Sequence, residues 1–440
     1  MRYPLIVVSA LLVSCSSLPL DWYKKEEFQA KDGAYFPKFI SSFFSKSKSF
    51  ERTYPTLGQA RQGIRLIQVR QLVNDSQGKN ESNLSWSKNG RYLSYENVNM
   101  GHRSIFIREL NGKSQQNLTV QKQRRSNFLE GLLSPNIHSY NSGLTWSKSE
   151  QQYAFMSNGG VGEYNIYVGS VEDEPEVTAQ SPSKDGYARW NPEKPELAFV
   201  SARSGRGDIY VLDIDESEVS PVSKSQYPDL FPEWLPDGNG IIYSSGTSSR
   251  HQITYVRRDK NKRWMKPQAL TNWSSDNLRP KVSPDGNWVA FYGSTSENRW
   301  NIYVLPLNFR AALDMDRDKY LIAEDVIIDL NTGPAWTPEG SQLFYVRRDP
   351  DRFNPIYSYN LRTGRSFYIN TKTMMNRDLI VSALGVLSFR AQVGAWDKVF
   401  VALTNLGFPI QGKRPLNRIK YKNKNFAFSP KANQNERVSL

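Results

Sequence analysis

The chain has 440 residues, with 57 lysines and arginines against 43 aspartates and glutamates, a formal charge of +14 and a mean hydropathy of −0.60. Its length is ample for a buried core, and a single cysteine, Cys15, excludes an intramolecular disulfide. The basic surplus suits anionic partners such as membrane lipid, acidic polysaccharide or peptidoglycan, or else merely solvates loops; no nucleic-acid motif accompanies it, so no nucleic-acid partner is expected.

In chain order, Met1-Arg2-Tyr3-Pro4 is a short positive start, and Leu5 to Val13 is an apolar run too short to span a bilayer. The run ends Leu12-Val13-Ser14-Cys15, which resembles the lipobox of bacterial lipoproteins. The resemblance implies a signal peptide over 1–14, lipidation of Cys15 and membrane attachment through it. Ser16, not Asp, follows, which by the same resemblance permits sorting to an outer membrane, so the periplasmic face of that membrane is the expected location. The alternative is an ordinary secretory signal with an incidental cysteine. Residues 15–62 read as a lipid-anchored tether, and Phe36-Pro37-Lys38-Phe39-Ile40 within it suits either the membrane surface or the underside of the domain that follows.

From residue 63 to 412 the chain reads as β-structure. Ile64 to Val69 is a strand with no neighbour in sequence to pair with. Six copies of one pattern follow, centred on Trp86, Trp146, Trp190, Trp234, Val282 and Trp336, at steps of 60, 44, 44, 48 and 54 residues. Such periods, with several short strands per unit, indicate a propeller or another repeat array. In the clearest copy, Ser283-Pro284-Asp285-Gly286 has the residues of a type I turn: proline presets φ, and glycine accepts the positive φ of the bulge. Ser147-Lys148-Ser149-Glu150 and Asn191-Pro192-Glu193-Lys194 lack the glycine, so looser turns are expected there. The following strands, such as Leu197-Ala198-Phe199-Val200 and Ile302-Tyr303-Val304, are β-branched and aromatic, and a weaker fourth strand shows in Gln268-Ala269-Leu270-Thr271. After the sixth copy come three strand-like segments, Asp378–Ser382, Gly385–Phe389 and Lys398–Ala402, without the Trp or the Pro-Asp-Gly turn. Residues 413–440 are basic and read as a disordered tail.

The third copy, Trp190-Asn191-Pro192 through Phe199-Val200-Ser201-Ala202-Arg203-Ser204-Gly205 to Asp208-Ile209-Tyr210-Val211-Leu212-Asp213, resembles the repeat of TolB-type β-propellers, relatives of WD-repeat blades marked by W-S-P-D-G. The resemblance covers about residues 80–360. It implies an all-β propeller of four-stranded antiparallel blades. Six blades follow the family precedent; seven follow if Ile64–Val69 joins the C-terminal strands and closes the ring. Residues 16–62 are too few for the α/β domain that precedes the propeller in that family. The family's role implies a non-catalytic envelope scaffold that binds a protein partner; the alternative is a propeller that binds, or cleaves as a lyase, an acidic polysaccharide or peptidoglycan.

Catalytic signals are sparse. His102, His138 and His251 each stand alone in loop-like settings, no G-x-S-x-G elbow is present, and no spacing suits a metal, so no cofactor or metal is expected. The recurrent tryptophan is expected to pack between blades. In the family, the segment before each first strand reaches the axial channel and one rim. That places Asp185, Tyr187 and Arg189, then Tyr227, Asp229, Phe231 and Glu233, then Asp276, Arg279 and Lys281 as the candidate binding residues, with Cys15 for lipidation.

Overall fold

The computed structural model describes residues 64–404, apart from 65, 74–78, 100–101, 111–114, 120–139, 150, 160–162, 172, 179–180, 248–249, 297–298, 308–315 and 350–352. The signal peptide, Cys15, the tether and the basic tail lie outside the described residues, as does His138. Seven four-stranded antiparallel sheets are arranged as blades around an axis. Their innermost strands are Asn80–Trp86, Asn141–Trp146, Asp185–Trp190, Asp229–Trp234, Asn277–Val282, Ala335–Trp336 and Met374–Val381.

The family precedent of six blades is therefore corrected to seven. The seventh blade is completed by the lone strand near the start. Leu66–Gln71 pairs antiparallel with Trp396–Thr404, matching Val69 to Ala402, so the two ends of the domain share one sheet. The strand forms the outer edge of blade seven, the place that the chain's own fourth strand takes in the other blades.

Why second strands read as continuous apolar runs is clear in blade three. Glu196–Ser201 is buried at every position. Leu197 and Phe199 pack toward blade two, while Ala198 and Val200 pack toward blade four. Among the described residues the buried apolar side chains form seven clusters, and each straddles one seam between adjacent blades. No blade has a core of its own, so stability comes from stacking.

The turn chemistry holds in detail. In Ser283-Pro284-Asp285-Gly286 the Gly286 amide donates to the Ser283 carbonyl at 2.8 Å with φ of 73°, and Ser283 Oγ accepts from the Trp288 amide at 3.0 Å. Blade seven, which has no Pro-Asp-Gly, builds the same turn from Ser382 to Gly385, with the Gly385 amide 2.9 Å from the Ser382 carbonyl and φ of 75°. Where glycine is missing, Asn191 substitutes through its side chain: Oδ1 accepts from the amides of Glu193 and Lys194 at 2.9 and 3.2 Å. The recurrent tryptophans 146, 190, 234 and 336 are buried, as expected of packing residues. Trp234 Nε1 donates to the Arg189 carbonyl and Trp336 Nε1 to the Lys281 carbonyl, each at 3.0 Å, tying one inner strand to the previous one.

Candidate functional site

Every inner strand kinks at the same place. Three residues before the tryptophan or its equivalent stand Asn83, Gly143, Tyr187, Phe231, Arg279, Gly333 and Asp378, all left-handed, with φ between 51° and 77°. In six blades the strand register shifts at this point, the mark of a β-bulge; the inner strand of blade six is paired only over Ala335 and Trp336. Pro232 and Pro280 follow the kink in blades four and five, where a residue without an amide hydrogen fits a bulge. Five of the seven kink residues are not glycine, although each then carries about 1–2 kcal/mol of backbone strain.

Past the kink the strands line an axial cavity of about 610 Å³, walled in part by Asn83, Thr145, Arg189, Glu233, Lys281 and Asn331. Its charge is concentrated on blades three to five. Lys281 Nζ lies 2.7 Å from Glu233 Oε2, and Arg189 Nε lies 3.8 Å from the same oxygen. Burial, reinforced by the neighbouring arginines, lowers Lys281 to about 8 despite Glu233. For Glu233 burial works the other way, yet Lys281 and Arg189 prevail and hold the carboxyl below its ordinary value.

Blade six supplies the opposite wall by losing regular structure. Asp329 Oδ1 accepts from the amides of Asn331 and Thr332 at 2.8 and 3.2 Å, and the Thr332 hydroxyl also bonds the carboxylate. The resulting loop presents the Asn331 carbonyl, which accepts from Arg189 Nη2 at 2.9 Å and from Arg279 Nη2. Burial first, and the Asp378 charge second, push the Asp329 carboxyl up to about 6.

The candidates from the sequence divide into three groups. Arg189, Glu233 and Lys281 line the channel, and Arg279 is fully buried beside them. Tyr187, 42% exposed, meets Phe231 edge-on at 5.0 Å in the kink ring, and Tyr227, 49% exposed, stands in the preceding loop. Asp185, Asp229 and Asp276 serve contacts within and between blades. Asp185 is buried against Arg203 at 3.0 Å, Asp229 is buried and accepts from Ser225 Oγ at 3.2 Å, and Asp276 lies 2.7 Å from His251 Nδ1. His102 is exposed at the start of a third strand, and neither it nor His251 is in the cavity wall.

Sequence reading passed over Asp329, Asn331 and Thr332. Counting back from each tryptophan or its equivalent would have found one of them. Five residues before it stand Glu81, Asn141, Asp185, Asp229, Asn277, Asn331 and Asn376, an amide or a carboxylate in every blade. Three of these asparagines latch to the blade before: Asn141 Nδ2 donates to the Arg103 carbonyl, Asn277 to His251 and Asn376 to Asn354, at 2.8–3.1 Å. Among the described residues no three His, Cys, Asp or Glu side chains gather as a metal-holding group, and no helix is long and apolar enough to cross a membrane.

Residues 69–262 and 138–311, together more than half of the chain, match the profile of the TolB beta propeller domain. The chain is similar to the Tol-Pal system protein TolB of Francisella tularensis subsp. mediasiatica, 24% identical over 258 residues that cover 58% of this chain and 54% of that protein. An uncharacterized protein of Agrobacterium fabrum is 26% identical over 166 residues, 37% of this chain and 54% of its own. The chain thus spans about half the length of the curated relatives it matches. Among solved structures, an oligogalacturonate lyase from Vibrio parahaemolyticus aligns with a TM-score of 0.55 at 13% identity, over 76% of this chain and 93% of that one. A puromycin-hydrolyzing peptidase of Mycobacterium tuberculosis aligns at 0.55 and 11% identity, over 71% and 49%. Both share the fold and, at such identity, nothing more.

Proposed function

The chain belongs to the TolB β-propeller domain family, and from that premise we propose that it is a non-catalytic lipoprotein of the bacterial cell envelope whose propeller holds a protein partner at the channel. One observation carries the proposal. Positions that serve the blades repeat around the ring, whereas the kink positions hold Asn83, Gly143, Tyr187, Phe231, Arg279, Gly333 and Asp378, in which only glycine recurs. Strain accepted at five of seven equivalent points, with a different side chain at each of the five, suits recognition better than architecture. Exposed Tyr187 beside Phe231 and a charged channel match the aromatic and arginine-rich centre of protein interfaces. The Leu12-Val13-Ser14-Cys15 motif supports anchoring, and Ser16 after it supports an outer membrane, where we place the chain on the periplasmic face. His102 and His251, apart from the channel wall, lend support to binding over lyase chemistry.

A second reading, an acidic polysaccharide or peptidoglycan ligand, draws on Arg189, Arg279 and Lys281. The test uses Cys15→Ser chain as bait for envelope extract, beside the same bait carrying Tyr187→Ala. A protein retained by the first and depleted about 30-fold or more on the second is expected, the loss typical of an aromatic anchor. Retention of anionic glycan alone would overturn the protein-partner reading in favour of the second.

A further inference from the structure

Hairpins joining third strands to fourth stand on the same face as the turns after the inner strands. The Ile214 amide donates to the Pro195 carbonyl at 2.9 Å, Arg258 to Asn239 at 2.9 Å and Leu361 to Ser341 at 3.0 Å. Charge on this turn face is divided around the ring. The exposed hairpin residues of blades two and three include Asp173, Glu174, Asp215 and Glu216. Those of blades four and six include Lys260, Lys262, Arg263, Lys266 and Arg362, with Arg365 beginning the fourth strand. None of these six cations is ion-paired among the described residues. The acids beside them are Asp237, which meets Arg257; Asp259, which accepts from the amides of Asn261 and Arg263 at 2.8 and 2.9 Å; and Asp285 and Glu339, each bonded within its own turn. Within the blade-four loop, Asp259 stands against four unpaired cations.

That loop is also the longer one, residues 258–267, where 214–217 and 361–364 suffice in blades three and six. Its root is pinned, since Arg258 bonds Glu196 at 2.9 Å and its guanidinium lies 4.3 Å from the centre of the Trp264 ring. The braced loop holds its cations in solvent around Met265, which is 45% exposed. Cations gathered around an exposed apolar side chain suit the headgroup layer of an anionic bilayer. The chain also enters and leaves the domain on this face. Leu66 pairs with Thr404, whose hydroxyl donates to the Gly385 carbonyl of the blade-seven turn at 2.6 Å. Blade seven adjoins basic blade six, and the sequence after Thr404 carries Lys413, Arg414, Arg418, Lys420, Lys422 and Lys424 with no acid before Glu436.

We propose that the outer hairpins of blades four and six rest on an anionic lipid bilayer, tilting the basic half of the turn face toward the membrane. The loop with Tyr227, which precedes an inner strand, then stands on the far face, open to a partner. The orientation rests on the envelope reading above for the presence of a membrane, but its test does not use the anchor. Full chain carrying Cys15→Ser is floated with vesicles of phosphatidylglycerol and phosphatidylcholine in equal parts, and with phosphatidylcholine alone. The apolar run from Leu5 to Val13 is present in every sample and cancels in the comparison. Binding should favour the anionic vesicles and weaken as salt is raised. Lys260→Gln, Lys262→Gln, Arg263→Gln and Lys266→Gln together should weaken it about 25-fold or more, the share of two cations at about fivefold each, with Tm unchanged because the side chains are exposed. Adding Arg362→Gln and Arg365→Gln should weaken it further, whereas Asp215→Asn with Glu216→Asn should leave it within about twofold. Equal binding to neutral vesicles, undiminished binding by the hairpin variants, or preference for soluble polygalacturonate over the vesicles would overturn the orientation. Lipid on Cys15 is read separately, from the mass of protein recovered from membranes, so either statement can fail without the other.

Discussion

Closure of the ring rests on the seam between blades one and seven, where Glu81 is buried beside Lys398. Glu81 Oε2 accepts from the Val399 amide at 2.7 Å, and Oε1 lies 3.4 Å from Lys398 Nζ. Both side chains are nearly inaccessible, so Glu81→Ala strands an ammonium group away from water and removes the amide's charged acceptor. The charge-assisted hydrogen bond alone is worth about 1.5–3 kcal/mol, and breaking a buried pair from one side costs about 3–5 kcal/mol. Unfolding entropy of about 2.1 cal/mol/K per residue over about 340 residues is about 0.7 kcal/mol/K, so the expected fall in Tm is about 4–7 °C by calorimetry. Replacing both partners, Glu81→Leu with Lys398→Met, should recover most of that loss, because the two charges of this buried pair leave together. A single-variant fall under about 2 °C, or a double variant whose losses simply add, would refute a buried ion pair as the clasp of the ring.

Asp329 gives a pH dependence of defined sign. Its folded value of about 6 lies above the ordinary 3.8, so the folded state holds its proton more tightly; the stabilisation is complete below about pH 4 and is lost as pH rises through 6. Asp329→Asn should therefore gain stability relative to wild type by up to about 3 kcal/mol as pH rises from below 4 to above 6 in parallel denaturation curves, and a pH-independent difference would contradict it. Gly286→Ala should cost about 1–2 kcal/mol by urea midpoint, from its φ of 73° alone, since the nearest atom to a new Cβ is 3.7 Å away. Gly340→Ala, at φ of 70°, should cost more, because its Cβ would come within 2.9 Å of Asp285 Oδ1; equal losses would rule out that contact as a factor.

Much of the architecture was legible because its signals are local. The tryptophan, the hydroxyl after it and the turn that follows lie within six residues, as in Trp86-Ser87-Lys88-Asn89-Gly90, and the pattern recurs at intervals of 44 to 60 residues. Blade seven was harder to read because Val381 replaces the tryptophan and Leu384 stands before Gly385, yet the bond from the glycine amide to the serine carbonyl is kept. The kink ring was hidden for a different reason. Left-handed backbone usually advertises itself through glycine, and here Asn83, Tyr187, Phe231, Arg279 and Asp378 take that conformation under the constraint of the sheet. Position in the repeat picked out Arg189, Glu233, Arg279 and Lys281, which the structure places next to one another. It could not separate them from Asp185 and Asp229, whose side chains turn to their own blades, because facing depends on a bulge that shifts the alternation. The loop from Asp329 to Gly333 escaped notice because blade six departs from the strand pattern there.

Leu66 and Thr404 become neighbours only across almost the whole domain, and this sets an order of events during synthesis. As the chain leaves the ribosome, Leu66–Gln71 emerges first and its partner strand last, so six blades exist before the seventh is whole. Throughout that interval the early strand and the growing arc each expose an edge open to foreign strands, and joining them ends that exposure in a single late step.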